Sequence, residues 1–350
     1  MKKFVIIGGG IAGITAFTML NRVAGVPTEN IEIYTDRLGG EYLSGGLKYL
    51  KMTSKSKKFV EMIYGTDYMI KKVVGAVLVD RRVFEYPSSL YFDDDLGNIQ
   101  KKYWDKTRGK DSEFDERCMN NPWSKNSVTE LKIIPNDPKG LEDLIGNLIR
   151  MIPESSIKYT TVDEHLLREL AGAGNKIIYT IPIFLLSKYL NTTLTVKNTN
   201  KELYLERFRI DNSHADKIWW DYLYVPDKKY PFHRVSLTNT IMDFEMNNAD
   251  YSIREIERFM IDYVGDFFHK LNSSSFKIKG QIVQDVNMDN FANLLPKNIL
   301  LLGRFAQFDK RVTWDKVIER MYRYINNGFS LEVPSLANEY VKDNWISHLK

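Results

Sequence analysis

Three glycines near the start of the chain have the spacing that proteins use to bind the pyrophosphate of a dinucleotide. Gly8, Gly10 and Gly13 form G-x-G-x-x-G between a short apolar run and a helical pattern. In that context the first glycine permits a tight turn, the second lets the backbone approach the pyrophosphate, and the third lets the helix pack closely on the strand. The N–H groups at the start of the helix, at Ile11 and Ala12, attract negative charge. We therefore predict that these five residues bind a dinucleotide.

A second strand and an acid continue the same unit. The run Ile31–Thr35 predicts a buried strand, and Asp36 follows it directly. An acid at this position is expected to bind a ribose hydroxyl, which favours an adenosine without a 2′-phosphate. Asp36 is therefore a candidate ribose ligand.

A further glycine-rich stretch, RLGGEYLS, follows the second strand. Its glycines can bring backbone N–H groups toward a dinucleotide, and its guanidinium can offset phosphate charge. The residues concerned are Arg37, Gly39, Gly40 and Ser44. The stretch resembles the second signature, R-x-G-G-x-x-x-S/T, of glutathione-reductase-type flavoproteins in the amine-oxidase branch, and this resemblance implies FAD as the cofactor. Because that family has glutamate at the position of Thr35, the resemblance makes Thr35 a second candidate for the ribose.

The C-terminal part of the chain carries a third mark of the same family. The stretch GRFAQFDKRVTWDKVIERM begins at Gly303 after an apolar run, and its helical pattern starts at about Thr313. It resembles the C-terminal FAD signature of this family. Its residues are most similar to those of UDP-galactopyranose mutase and its relatives. The resemblance implies that Gly303 lets the chain pass the flavin and that Arg304 and Trp314 belong to the site. It also implies that the helix N-terminus faces the flavin ring, where its dipole would stabilise a reduced, anionic flavin.

The order of these marks predicts the architecture. We expect an α/β fold with a Rossmann-like FAD-binding domain of the glutathione-reductase type, into which an α+β substrate-binding domain is inserted. The predicted FAD-binding domain comprises residues 1–60, 136–190 and 285–350, and the substrate-binding domain comprises 61–135 and 191–284. Residues 61–135 form either a surface insertion anchored by its aromatic side chains or a lid over the flavin. A capping box at Ser252 and an apolar stripe predict a helix over 252–270.

Two arginines and a histidine are the candidate catalytic residues. Arg234 lies in YPFHRVSL, which resembles a strand of the mutase family, and Arg304 follows the glycine of the C-terminal signature. His233 is a candidate proton shuttle. Strand alternation points it away from Arg234, so we expect only one of the two in the same cavity.

Three functions remain open. The first is an FAD-dependent oxidoreductase in which the flavin accepts a hydride from a C–N or C–C bond, a reaction that needs orientation and a dry cavity more than catalytic side chains. The second is a non-redox, mutase-like isomerisation of a sugar nucleotide by reduced flavin, with arginines binding the diphosphate. The third is a catalytically silent FAD-binding protein. The Lys-, Asn- and Tyr-rich composition adds a further alternative, a viral flavoenzyme of nucleotide or DNA-base modification.

Composition narrows the choice of partners. The chain has 350 residues, 43% of them hydrophobic, and its apolar stretches are too short to span a membrane, which favours a cytoplasmic protein. The single cysteine, Cys118, excludes an internal disulfide, and the histidines lack metal-ligand spacing, so no metal site is predicted. The net charge of +4 is too small to argue for nucleic acid, whereas a run of lysines between Glu41 and Glu61 favours an anionic small-molecule substrate. The sequence leaves the oligomeric state open.

Overall fold

A computed structural model gives the fold of most of the chain. The described residues are 3–39, 50, 52–66, 68–72, 74–86, 102–103, 105–106, 131–135, 141–191, 199–200, 203–246, 250–265, 268–271, 276–278, 281–282, 294–304, 306–307 and 312–330. Gly40 and Ser44 lie outside these ranges, so their predicted role in cofactor binding stays a prediction.

The described residues form eight helices and seventeen strands. The helices are α1 (Ile11–Arg22), α2 (Ser54–Tyr64), α3 (Leu141–Arg150), α4 (Glu164–Gly172), α5 (Phe184–Tyr189), α6 (Asn212–Ala215), α7 (Ile253–Tyr263) and α8 (Trp314–Asn326). The strands are β1 (Phe4–Ile7), β2 (Ile31–Thr35), β3 (Tyr68–Lys72), β4 (Gly75–Val79), β5 (Arg82–Tyr86), β6 (Leu131–Pro135), β7 (Ile157–Tyr159), β8 (Lys176–Tyr179), β9 (Thr199–Asn200), β10 (Leu203–Ile210), β11 (Tyr222–Tyr224), β12 (Phe232–Thr238), β13 (Ile241–Met246), β14 (Phe268–Lys270), β15 (Phe276–Ile278), β16 (Gln281–Ile282) and β17 (Ile299–Leu301). In this part of the chain, none of the helices has the length and apolar character needed to cross a membrane.

Five parallel strands form the first sheet, in the order β17-β8-β1-β2-β7. The central strand β1 is buried along its whole length, as its continuous apolar run predicts for a parallel sheet. Because side chains alternate across a strand, Phe4 and Ile6 join the core formed with α1, α2, α3 and α8, whereas Val5 and Ile7 join the core formed with α4 and α5. Helices therefore cover both faces of the sheet, and the predicted Rossmann-like α/β fold is confirmed.

A second, mostly antiparallel sheet has the order β14-β10-β13-β12-β11-β4-β5, with β15 also paired to β10. Its apolar face carries Phe208 and Phe244, which pack with Phe259 of α7. These strands come from two separate parts of the chain, one between β3 and β6 and one between β9 and β16. The sheet is therefore the α+β unit that is inserted between the strands of the parallel sheet.

The predicted boundary at residue 60 falls inside a helix. Helix α2 runs from Ser54 to Tyr64, and it buries Phe59 and Val60 in the core of the parallel sheet. The predicted boundary thus divides a helix that packs as one piece against the parallel sheet. The other domain limits stay predictions.

The helix predicted over 252–270 is shorter than expected. Helix α7 begins after Ser252, whose backbone N–H donates to the Glu255 carboxylate as the capping box predicts, but the helix ends at Tyr263. Gly265 follows with φ +128°, a backbone conformation that residues with a Cβ atom rarely adopt. The chain therefore leaves the helical path at this residue. Residues Phe268–Lys270 then pair with β10 as strand β14. The prediction was wrong for these last residues because the apolar stripe continues past the glycine.

Candidate functional site

The carboxyl ends of neighbouring parallel strands meet at the glycine loop that follows β1. The Gly8 N–H donates to the Tyr34 carbonyl of β2 at 2.8 Å. On the other side, Thr180 at the end of β8 donates its Oγ1 hydroxyl to the Ile7 carbonyl at 2.8 Å. The loop is thus fixed by both adjacent strands at the edge of the sheet where open α/β folds bind ligands.

Two of the three glycines in the motif are required by the fold itself. Gly8 has φ +105°, and a Cβ atom on it would lie 2.4 Å from the Thr180 Oγ1. A Cβ atom on Gly13 would lie 1.9 Å from the Gly8 carbonyl oxygen, so this glycine allows α1 to pack against the loop. Both positions therefore exclude any larger residue, whether or not a ligand is bound.

Gly10 differs, because nothing in the described part of the protein requires a glycine there. Its φ of −71° and ψ of −176° are ordinary extended values. Apart from Gly10 itself and the two residues that flank it, no described residue has an atom within 4 Å of the position that its Cβ would take. The N-terminus of α1 beside it has no side-chain cap and no acidic residue in its first turn. The backbone thus leaves room for an anion at a helix N-terminus, which fits the pyrophosphate of a dinucleotide.

The residues after β2 are tied to the glycine loop through Thr35. Its Oγ1 accepts hydrogen bonds from the Gly9 N–H at 3.0 Å and the Arg37 N–H at 3.1 Å, and it donates to the Arg37 carbonyl at 2.9 Å. The Gly39 N–H donates to the Gly9 carbonyl at 2.8 Å. Thr35 is buried, whereas the side chains of Asp36 and Arg37 are exposed. Of the two ribose candidates, Thr35 shapes the loop and Asp36 presents its carboxylate at the surface.

The C-terminal signature reaches the same corner of the molecule. Gly303, two residues after β17, has φ +92°, and a Cβ on it would lie 2.8 Å from the Cβ of Ala12 in the first turn of α1. Arg304 follows with an exposed side chain. The two motifs at opposite ends of the sequence are therefore in contact, as expected if both hold one elongated cofactor.

Trp314 lies deeper than its predicted role implies. Its indole Nε1–H donates to the Thr15 Oγ1 of α1 at 2.9 Å, and its ring packs edge-on against Phe59 of α2, with centroids 6.4 Å apart. It is the first residue of α8, and side chains at helix starts lean toward the helix N-terminus, here against α1. Its described contacts are therefore with α1 and α2, and its role at the cofactor stays a prediction.

Arg234 is paired with a buried carboxylate on the polar face of the second sheet. Its Nε and one terminal nitrogen donate to the Glu245 Oε1 at 2.9 and 2.6 Å. Burial alone lowers the pKa of Arg234, but the Glu245 carboxylate outweighs that effect, and the net shift of the pKa is upward. A second pair, Arg207 with Asp243, lies on the same face with contacts of 2.7 and 3.1 Å. Each arginine is thus neutralised by the strand beside it.

His233 does not follow the strand alternation that the sequence predicts. The pairing of β12 with β13 shifts register between Phe232 and Arg234, so His233 occupies a β-bulge. A bulge re-aims side chains, and the His233 Nε2 lies 3.8 Å from the Glu245 Oε2, on the same carboxylate that Arg234 contacts. The expectation that His233 and Arg234 point to different places was therefore wrong.

Two residues of the insertion extend this cluster and were not predicted as site residues. The Tyr103 ring packs edge-on against Tyr224 at 5.2 Å and against His233 at 6.1 Å between ring centroids. The Lys106 Nζ donates to the Val225 carbonyl at 2.8 Å and to the Asp227 carbonyl. The aromatic content of the insertion was the only sequence signal, since both contacts join residues far apart in the chain.

Lys106 makes the stability of the protein depend on pH in a defined direction. Burial lowers the pKa of Lys106 to about 7, although the Asp227 carboxylate opposes the shift. Lysine in an unfolded chain titrates near about 10.4. Between these two values the unfolded state binds more protons than the folded state, so the free energy of unfolding rises with pH.

We expect the wild type to gain stability relative to Lys106→Met between roughly pH 7 and 9, by at most about 1.4 kcal/mol per pH unit. Urea unfolding of both proteins across this range measures the difference. A stability difference that stays constant with pH would show that the Lys106 ammonium keeps an ordinary, solvated pKa.

The structure also identifies a buried amide in the C-terminal signature that sequence reasoning missed. Gln307 is only 5% exposed, and its N–H donates to the Gly303 carbonyl at 3.0 Å. Among the described residues, its Oε1 has no hydrogen-bond partner. No spacing rule singles out a glutamine at this position.

Solved structures show the same fold. No protein-family model matches the sequence, and no curated protein matches it. A reduced UDP-galactopyranose mutase superposes with a TM-score of 0.65 at 14% identity, over 97% of this chain and 98% of the mutase. A putrescine oxidase double mutant superposes with a TM-score of 0.55 at 9% identity, over 93% of this chain and 98% of that one. Cyclohexylamine oxidase from Brevibacterium oxydans IH-35A gives 0.55 at 11% identity with the same coverage.

These likenesses establish the fold. The chain has the fold of UDP-galactopyranose mutase and of the two amine oxidases, as its sequence motifs predict. The superposition covers nearly all of both chains, so the parallel sheet and the inserted unit both belong to the shared fold. At such low identity the likeness does not select among the chemistries of these enzymes.

Proposed function

We propose that this chain is an FAD-dependent oxidoreductase that oxidises a C–N or C–C bond of a small molecule. The observation that carries the cofactor assignment is the open space at Gly10. A glycine with ordinary backbone angles, at the uncapped start of a helix, is explained by a ligand that needs the room of a side chain. The contact between Gly303 and Ala12 brings the second cofactor signature to the same place.

The residues proposed to hold FAD have different tasks. The N–H groups at the start of α1, from Ile11 to Gly13, would bind the pyrophosphate, and Asp36 would accept a hydrogen bond from the ribose. Thr35 and Gly39 would keep the adjoining turn against the glycine loop through the hydrogen bonds described above. When bound, FAD supplies the hydride acceptor for the oxidation.

The choice of an oxidoreductase over a mutase rests on the paired arginines. A sugar-nucleotide substrate needs arginines for its diphosphate, but Arg234 already donates twice to Glu245, and Arg207 already donates twice to Asp243. Separating such a partly buried ion pair costs roughly 1–3 kcal/mol, because the carboxylate is buried and only the arginine reaches solvent. A polar face whose charges are nearly neutralised suits an oxidation, because that reaction requires the protein to orient the substrate and to exclude water.

A mutase-like isomerisation of a sugar nucleotide is the second candidate. The observation in its favour is the higher TM-score of the mutase, 0.65 against 0.55 for the two oxidases, together with its coverage of 97% of this chain. In this alternative Arg304, which is exposed beside Gly303, would be the arginine placed to meet a diphosphate. The anionic substrate predicted from the lysine run is compatible with this candidate as well as with the oxidoreductase.

An anaerobic titration distinguishes the two candidates. We expect that, in the purified protein reconstituted with FAD, the visible absorbance of the flavin is bleached by one member of a panel of primary amines and modified nucleosides. No reductant is added. Restoration of the flavin spectrum by oxygen would complete the redox cycle. Conversion of UDP-galactopyranose only after reduction with dithionite, with no bleaching by any amine or nucleoside, would favour the mutase and contradict the oxidoreductase. FAD-free protein in the same assay is the control.

A further inference from the structure

Gln307 is part of the C-terminal cofactor signature and lies four residues after Gly303. Its N–H donates to the Gly303 carbonyl at 3.0 Å, so the chain from 303 to 307 closes a turn directly after β17. Gly303 itself is pressed against the start of α1, where its Cβ would lie 2.8 Å from the Ala12 Cβ. The backbone of this turn is therefore fixed between the parallel sheet and the proposed cofactor corner.

The side chain of Gln307 is costly for the protein as it stands. It is only 5% exposed, and its Oε1 has no donor among the described residues. A buried acceptor without a donor destabilises the folded state, and such groups in native proteins call for an explanation. A leucine or methionine would fill the same volume without this cost. The retention of an amide here is explained if a ligand supplies the missing donor.

A flavin offers donors of the right kind. Its ring carries an N–H between two carbonyl groups, and its ribityl chain carries hydroxyl groups. At neutral pH a pyrophosphate, by contrast, has hydrogen-bond acceptors but no donors. A carboxamide has an acceptor beside two N–H donors, so it complements such an N–H and carbonyl edge. Hydrogen bonds to the ring nitrogens are also a means by which flavoproteins tune the cofactor.

We propose that Gln307 binds the flavin half of FAD by accepting a hydrogen bond through its Oε1. This inference rests on the proposed function, and it adds a cofactor ligand that neither the glycine motifs nor the arginines predict. Because the contact involves the flavin half only, it separates the two halves of the cofactor: the adenosine diphosphate half is bound at α1 and β2, and the flavin half at the turn after β17.

The test compares FAD with ADP as ligands of the apoprotein. We expect Gln307→Leu to weaken FAD binding about tenfold, since one buried hydrogen bond is lost, and to leave ADP binding unchanged. The apoprotein should melt at the same or a higher temperature than the wild type, because the unpaired acceptor is gone. Gln307→Met, which is unbranched and flexible, provides a second variant if leucine does not fit.

Ser236→Ala is the matched control. The Ser236 hydroxyl is also buried without a partner among the described residues, but it lies on β12 in the other sheet. Its removal should leave both FAD and ADP affinity unchanged. Equal FAD affinity of the wild type and both Gln307 variants, or an equal loss of FAD and ADP affinity, would overturn the inference while the proposed function stands. A wild-type protein that binds neither ligand would overturn the proposed function as well.

Discussion

Gly10→Val is expected to weaken FAD binding by at least about a hundredfold, or about 2.8 kcal/mol, while the protein stays folded. The backbone at Gly10 has φ −71°, which valine adopts without strain, and the space around its Cβ is open. The isopropyl group would therefore occupy the volume proposed for the pyrophosphate. We expect the free energy of unfolding of the apoprotein to change by less than about 1 kcal/mol, because the loss of a glycine N-cap and the reduced entropy of the unfolded chain oppose each other.

Two other glycines make this result interpretable. Gly172, at the end of α4, also has nothing within 4 Å of its Cβ position, so Gly172→Val should alter neither stability nor FAD binding. Gly13→Ala should instead unfold the protein, because its Cβ would lie 1.9 Å from the Gly8 carbonyl oxygen. Fluorescence titration with FAD and urea unfolding measure the two quantities. FAD affinity in Gly10→Val equal to that of the wild type would place the cofactor elsewhere.

Glu245→Gln is expected to lower the free energy of unfolding by roughly 1–3 kcal/mol, because the Arg234 side chain that loses its counter-ion is 35% exposed. The Glu245 side chain is 4% exposed, and its loss of charge leaves the Arg234 guanidinium partly buried without its counter-ion. The double variant Arg234→Met/Glu245→Leu should recover most of this stability, since well-packed apolar residues replace a buried ion pair at little cost. Urea unfolding of the three variants forms a double-mutant cycle.

A surface ion pair provides the comparison. Arg168 and Glu164 are joined at 2.7 Å on α4 with side chains 46% and 42% exposed, so Glu164→Gln should cost less than about 1 kcal/mol. A cost for Glu245→Gln as small as that for Glu164→Gln would mean that Arg234 does not depend on this carboxylate. If that variant also bound UDP more tightly than the wild type, Arg234 would be an anion ligand, and the mutase alternative would be favoured.

The parallel sheet could be predicted because its signals are local. The apolar run at Phe4–Ile7, the glycines after it and the apolar stripe of α1 lie next to each other in sequence. They indicate a buried strand, a tight turn and a helix, in that order. The start of α8 directly after Thr313 followed from the same kind of signal. The carboxyl ends of parallel strands then meet at one edge, so the meeting of Gly303 with α1 follows from topology.

The polar contacts of the second sheet could not be predicted in the same way. That Arg234 faces Glu245 depends on the register of β12 with β13, and a one-residue shift moves every side chain to the other face. The bulge at His233 has no signature in the residue types around it. Lys106 contacts carbonyl groups that belong to a distant loop, and the Gln307 Oε1 has no hydrogen-bond partner among the described residues. Such features depend on long-range packing or on a ligand.

The contact between Gly303 and Ala12 has a consequence for synthesis in the cell. The N-terminal motif leaves the ribosome first, but the turn that completes the corner is made only after most of the chain has been translated. Until the later elements have been made, nascent β1, α1 and β2 expose apolar surface that β8 and α8 cover in the finished fold. A ligand that needs both ends stabilises finished molecules and gives no such help to incomplete ones. Cofactor supply would thus act as a late check on completeness rather than as an aid to the first steps of folding.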